Sequence, residues 1–287
     1  MDVERSIDIV NPVEITTEIE KKKLTKKPGR IDEVHSIGLT CLVGGILCFN
    51  SGWINAVAFI PEGFGGGVTH VTGSSTKVGW FLAHGEYTMF WESLGKVATF
   101  LLGAMISGGY LGGSRTFKGG PRYAHLLYLV SILTFASYGA ARGSNVYTGA
   151  ILLSIASGCQ NAMTTQYSSA IVRTTHVTGA VTDIGVEFGK MLFQRDFSGL
   201  WKAKLLCTFW LSYVTGGAVG AAIFMPVQKA SIMIPAVTTS LLATVYMLSL
   251  NKVIPSKGSK NGFGLHAEIN TNFCDSTGTG QAKLEDT

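Results

Sequence analysis

The chain has 287 residues, of which 46% are hydrophobic and 14% charged, against about 25% charged in soluble domains. Of its 41 charged residues, 15 lie in the first 36 positions, 8 in the last 37 and only 18 in the 214 between Ile37 and Leu250. This excludes an ordinary soluble domain: the middle is built for lipid and the ends for water. The net charge of +5 does not mark a nucleic-acid binder, because the basic residues are dispersed among loops with no interleaved basic and aromatic surface.

Residues 1–36 form a Lys-rich polar leader, expected to be disordered because it cannot bury enough apolar surface to fold. It lacks the basic start and apolar core of a signal peptide, so the first span is expected to act as its own anchor. Stretches without Asp, Glu, Lys or Arg then run over Ile37–Pro61, Val97–Ser114, Tyr123–Ala141, Gly143–Val172, Leu205–Gln228 and Ala230–Asn251. Each matches the ~20 helical residues that cross a hydrocarbon core of about 30 Å, and none shows the alternation of a barrel strand. The second is expected to start earlier, near Thr88. The predicted fold is therefore an all-α integral membrane protein with six transmembrane helices, one membrane repeat over 37–141 and a second over 142–250. The tail, 251–287, rich in Gly, Ser, Thr and Asn, is expected to be disordered. With the N-terminus inside, 19 of the 23 Lys and Arg fall on the inner side, Lys77, Lys96, Arg142 and Lys229 being the remainder. The positive-inside rule then places both termini in the cytoplasm, or on the equivalent face of an internal membrane. Cys41, Cys48, Cys159 and Cys207 fall in apolar segments and Cys274 in the tail, with no disulfide framework or zinc spacing.

The chain repeats itself. At an offset of 106, Ser51-Gly52-Trp53-Ile54-Asn55-Ala56 aligns with Ser157-Gly158-Cys159-Gln160-Asn161-Ala162, and Thr69-His70-Val71-Thr72-Gly73 with Thr175-His176-Val177-Thr178-Gly179. With Thr76 and Gly79, 11 of 29 positions are identical, where average composition gives about two. Lys96 and Lys202 also superpose. Three spans per copy is an odd number, so the second copy enters the membrane in the opposite sense. Inverted repeats recur in secondary transporters, with a site near the midplane at the repeat interface.

The long stretches after the first and fourth spans each carry the Thr-His-Val-Thr-Gly signature and a short helical run, Ser74–Leu82 and Ala180–Leu192. One reading is a pair of re-entrant half-helices aiming their N-terminal N–H groups at a shared polar site. The other is a capped amphipathic helix on each membrane surface, with Thr72 or Thr178 as the cap.

Candidate substrate-binding residues are Asn55, Thr69, His70, Thr72 and Lys96 in the first copy, and Asn161, Thr175, His176, Thr178 and Lys202 in the second. An amide at equivalent positions of both copies needs partners in a low dielectric, so Asn55 and Asn161 bind solute or pin crossing helices. The histidines can titrate or donate near neutral pH, although two are too few for a metal site and surface His is the commoner situation. Paired lysines favour an anionic solute, against which Glu92 sits four residues before Lys96 and can neutralise it, while Lys202 can snorkel. Ser154, Ser157, Asn161, Thr164 and Ser168 share one helical face, read as packing first and as a solute lining second. The Gly63–Gly67 loop lacks the Lys-Ser/Thr ending of a phosphate cradle and reads as a hinge.

No catalytic order, paired carboxylates or His-Glu-x-x-His motif is present, so an enzyme is not expected, nor is a cofactor. The expected partners are the lipid bilayer and a small-molecule or ion solute, with a homodimer as a candidate assembly because six helices make a cramped pathway. The expected function is a small-solute transporter or permease, for an anionic or polar solute. The alternatives are a non-transporting scaffold or sensor and, behind it, a membrane-embedded enzyme using His70 or His176 as acid or base.

The paired motifs, Gly52-Trp-Ile-Asn55-Ala56 with Thr69-His-Val-Thr-Gly73 and Gly158-Cys-Gln-Asn161-Ala162 with Thr175-His-Val-Thr-Gly179-Ala-Val-Thr-Asp183, resemble the YoaK family of polytopic membrane proteins over about His35 to Asn251. That family's first copy usually carries Gly-x-x-Asp-Ala and Thr-Gly-Asn, where this chain has Asn55 and Ser74. A proton- or cation-coupling role for the family's acidic residue is thereby put in doubt here. The resemblance implies fold and topology and brings no substrate.

Overall fold

The structure is a computed structural model that describes residues 30–112, 120–143, 145–167 and 174–253. The tails beyond these ranges, Ser168 of the polar stripe and Arg173 lie outside the described residues. The chain divides into two units, Met1–Thr40 and Cys41–Thr287. Of the first, residues 30–40 form the start of a helix; the second holds all the other described residues.

Among the described residues there is no strand, and the regular structure is helical: α1 (Arg30–Phe59), α2 (Val71–Ala83), α3 (Tyr87–Leu111), α4 (Pro121–Arg142), α5 (Val146–Tyr167), α6 (Val177–Gly189), α7 (Leu200–Val227) and α8 (Met233–Val253). Their ends follow the sequence. The N–H of Gly112, at φ 79°, bonds the Gly108 carbonyl at the end of α3, a left-handed C-terminal conformation that suits glycine. Pro121 opens α4 in its first turn, where its missing N–H costs nothing.

Four segments are long and apolar enough to cross a membrane, Cys41–Phe59, Tyr87–Leu111, Pro121–Arg142 and the 51-residue Leu200–Leu250, which holds α7 and most of α8. The chain is a helical membrane protein. α5 falls short of that apolarity because its polar groups face protein: Ser154, Ser157, Gln160 and Thr164 are all buried. α1 and α5 form the centre. The Cys41–Phe59 segment is 61% buried by the rest of the protein and Tyr87–Leu111 only 17%, so α3 presents most of its surface outward.

Glycine allows the closest approaches. A Cβ on Gly52 of α1 would collide with the Tyr213 carbonyl of α7, and one on Gly216 with the Phe49 carbonyl. Likewise, a Cβ on Gly158 of α5 would collide with the Phe100 carbonyl of α3, and one on Gly103 with the Ile155 carbonyl. These are backbone-to-backbone crossings of the kind small residues permit in membrane helices. Both crossings use the same glycines and carbonyls, related by 106 positions on α1 and α5. Along α3 and α7, however, Phe100 corresponds to Tyr213 and Gly103 to Gly216, an offset of 113.

The extra seven residues sit between the short and long helices. Three residues separate α2 from α3, and ten separate α6 from α7. The added segment forms a π-helical turn at Lys190–Gln194 and then a left-handed Arg195, φ 55°. It closes with the Ser198 N–H donating to Asp196 Oδ1 at 2.9 Å. Bonding from the Ser198 backbone N–H and hydroxyl holds the Asp196 carboxyl below its usual range. Lys96 and Lys202, which superpose at offset 106, are therefore not equivalent in the fold.

Buried polar groups stitch the centre. Gln160 of α5 donates through Nε2 to Ser51 Oγ at 2.9 Å and to the Leu47 carbonyl at 3.1 Å, both on α1. Asn50 of α1 donates to Thr238 Oγ1 at 2.8 Å and Thr239 Oγ1 at 3.1 Å on α8. Ser131 Oγ of α4 donates to the Ala236 carbonyl of α8 at 2.8 Å. Each such bond contributes about 0.6 kcal/mol on average in membrane helices, and together they define the register between neighbours.

Candidate functional site

The two Thr-His-Val-Thr-Gly segments have the same local structure, and each of their residues has a reason. Asn55 Oδ1 on α1 accepts the Thr69 backbone N–H at 3.2 Å. Asn161 Oδ1 on α5 accepts the Thr175 N–H at 3.3 Å. The separation is fourteen residues in both copies. The asparagines thus tie the chain entering α2 and α6 to the central helices, through a backbone donor that any residue at 69 or 175 except proline supplies.

The residue that opens each short helix is His, not Thr. His70 is the N-cap of α2 at φ −89°, ψ 67°, and His176 that of α6 at φ −90°, ψ 60°. Neither helix has a side-chain cap hydrogen bond. Each imidazole instead lies over the glycine three residues on, so that a Cβ at Gly73 or Gly179 would strike the ring. The expectation that Thr72 or Thr178 caps the helix is corrected: both lie within the first turn, where their carbonyls accept the Thr76 and Thr182 hydroxyls at 3.0 and 2.9 Å. Thr72, Thr178 and both histidines are exposed.

Beyond this shared frame the copies differ. In the first, Tyr213 of α7 brings its hydroxyl to 3.4 Å from Thr69 Oγ1. Its counterpart at offset 113 is Phe100, which has no hydroxyl. Lys96 of α3 is buried, and its Nζ donates to the Gly65 carbonyl at 2.8 Å. Among the described residues the ion pairs are those of Lys190 and Lys202; Lys96 is in none of them, so Glu92 does not pair with it at contact distance. Between α2, α3 and the glycine loop lies a cavity of about 240 Å³, lined by His70, Ser74, Lys77, Glu92 and Lys96 among others. On the other side of Glu92 and Lys96 a second cavity of about 320 Å³ reaches Phe64, Asn145 and Tyr147.

In the second copy Lys202 is neutralised. Its Nζ lies 3.5 Å from Asp183 Oδ2 and 3.5 Å from Glu187 Oε1, while Lys190 lies 3.4 Å from Glu187 Oε2. Glu187 is buried, packed where a Cβ on Gly199 would strike its carboxylate. These contacts fasten α6 to α7 and bear on the inserted turn.

The ten candidate residues thus fall into two groups. Asn55 touches Thr69, and His70 and Lys96 line one cavity. Asn161 touches Thr175, and Lys202 belongs to the carboxylate cluster. Among the described residues no hydrogen bond or ion pair joins the two signature segments. Asn50, Gln160 and Tyr213 escape the sequence reading, although Gln160 lies inside the repeated motif. Their counterparts at offsets 106 and 113 are Ala156, Ile54 and Phe100, so a search for paired residues passes over them.

A search of curated proteins and of solved structures finds no match. Residues 43–245 match a family model described as a protein of unknown function, DUF1275. That range contains both Asn/Thr-His-Val-Thr-Gly units and all six long helices in whole or large part, and on it the chain belongs to the DUF1275 family.

Proposed function

We propose that this protein is a small-solute transporter or permease whose six spans, α1, α3, α4, α5, α7 and α8, form two inverted three-span repeats. In this reading α2 and α6 are half-helices. Thirteen residues extend about 20 Å at 1.5 Å per residue, too short for a core of about 30 Å. The observation that carries the proposal is the repeated tie from Asn55 to Thr69 and from Asn161 to Thr175. It fixes, in both copies, a short helix whose first N–H groups no side chain caps, beside a polar residue of a central helix. Interrupted helices held in this way, with their positive ends free, are how secondary transporters build polar sites. The reciprocal crossings of α1 with α7 and of α5 with α3 support the repeat, because each copy lends its second span to the other's first. Alternating access would rock one repeat against the other around these crossings. Both termini then lie on the cytoplasmic side or the equivalent face of an internal membrane, an orientation that the distribution of Lys and Arg supports.

A differential thermal-stability screen of the purified protein against a broad solute library tests this, since a ligand that binds only the native state raises its apparent stability. The expected result is a saturable shift with a polar solute that is lost in a folded Asn55→Ala/Asn161→Ala protein, followed by uptake of that solute into proteoliposomes. Silence across anions, cations and neutral metabolites, with the protein folded, contradicts the proposal.

A further inference from the structure

We infer that the cavity between α2 and α3 is a binding site for a short-chain monocarboxylate, its carboxylate held by Lys96 and Lys77 and its stem against aromatic side chains. This deepens the transport reading and rests on it only for the word substrate; binding stands or falls by itself.

The argument begins with Lys96. A buried ammonium is costly unless it is paired and hydrogen-bonded, and it has three N–H donors. The Gly65 carbonyl takes one of them, and no carboxylate among the described residues lies at ion-pair distance. A second ammonium converges on the same place. A Cβ built on Gly66 would lie 3.6 Å from Lys96 Nζ and 3.7 Å from Lys77 Nζ. Glycine with φ 119° puts no side chain between them, so both ammoniums line the same stretch of the cavity and can donate to the two oxygens of one carboxylate.

Charge and shape then select the ligand class. Lys77 and Lys96 against Glu92 leave the cavity walls one positive charge in excess. A monoanion balances that charge, whereas a dianion would meet Glu92 unshielded. The rest of the lining includes the apolar side chains of Phe59, Phe81 and Met89, which suits an alkyl stem rather than a fully hydrated inorganic ion. The volume of about 240 Å³ accommodates a small solute. The second copy supplies a contrast within the same chain. Asp183 stands where Lys77 stands in the first copy, and Lys202 is already engaged by Asp183 and Glu187. The site is therefore confined to the first repeat.

The test is thermal stabilisation of the full-length purified protein at constant ionic strength by sodium propionate, with propionamide and sulfate as controls. Propionate is expected to give a saturable shift, and the two controls none. Lys77→Asp, an exposed position that takes the charge found in the second copy, is expected to raise the propionate concentration needed at least tenfold without altering the ligand-free melting temperature. Lys96→Met is expected to abolish the shift. Equal shifts with propionate and propionamide, or with propionate and sulfate, overturn the inference, as does an unchanged propionate response in Lys77→Asp. Propionate binding with no uptake of propionate or of any other solute into proteoliposomes overturns the transport reading and keeps the site. Uptake of another solute, unaffected by Lys77→Asp and with no propionate response, does the reverse.

Discussion

Gly52→Ala and Gly158→Ala are expected to destabilise the protein, whereas Gly109→Ala and Gly139→Ala, also helical, stabilise it. Alanine exceeds glycine in helix propensity by about 1 kcal/mol, so an unhindered replacement gains stability. A Cβ at Gly109 or Gly139 meets nothing within 4 Å, which leaves that gain intact. At Gly52 and Gly158 the same Cβ collides with the carbonyls of Tyr213 and Phe100. Those are backbone atoms of a facing helix and can yield only if the helices separate. Overpacking of this kind costs typically 1–3 kcal/mol, sometimes more, and the propensity gain does not offset it. Thermal unfolding of the four variants in one detergent or nanodisc preparation checks the signs. Similar losses for Gly52 and Gly158 are expected because their crossings use corresponding atoms. A neutral or stabilising Gly52→Ala would mean that α1 and α7 do not meet as described.

The second large effect is at the asparagines. Asn55→Leu and Asn161→Leu each keep the approximate volume but remove the oxygen that accepts the Thr69 or Thr175 N–H. An amide donor left unsatisfied in a buried site costs about 1–3 kcal/mol, and the strand of chain entering the short helix loses its tie. The first copy is expected to suffer more, because Asn55 and Thr69 are buried whereas Asn161 and Thr175 are half-buried. Asn55→Asp retains an acceptor oxygen in the same place, so it is expected to fold where Asn55→Leu is impaired. Thermal unfolding, with amide hydrogen exchange at Thr69 and Val71, measures both consequences. Unchanged protection at Thr69 in Asn55→Leu would remove the bond from the account.

The repeat was legible in the sequence because Asn55, Thr69, His70 and Gly73 each meet a local need, and both copies meet that need with the same residue. The Asn takes an N–H fourteen positions on, His opens the helix, and Gly makes room for its ring. The membrane class was legible from charge distribution alone, and α3 begins at Tyr87, beside the Thr88 expected from composition. What could not be read is what belongs to tertiary contact. The seven-residue insertion at 190–199 is invisible at offset 106 because Lys96 and Lys202 happen to align across it. Only the glycine crossings, which pair Phe100 with Tyr213, reveal the true register. Asn50 and Gln160 lie in apolar spans without a polar counterpart in the other copy, so periodicity gives them no weight, although they join α1 to α8 and α5 to α1. Likewise Lys77 reads only as one of the four basic residues off the inner side until the fold brings its ammonium, with that of Lys96, beside Gly66.

The central claim is that two copies of one unit cross the membrane in opposite senses, and sidedness tests it most directly. In a protein whose native cysteines are replaced, single cysteines at Glu86, between α2 and α3, and at Ser198, between α6 and α7, are labelled by an impermeant thiol reagent on sealed vesicles. The account predicts that the two positions react from opposite faces, Glu86→Cys from the non-cytoplasmic side and Ser198→Cys from the cytoplasmic side. Labelling of both from the same face would contradict it.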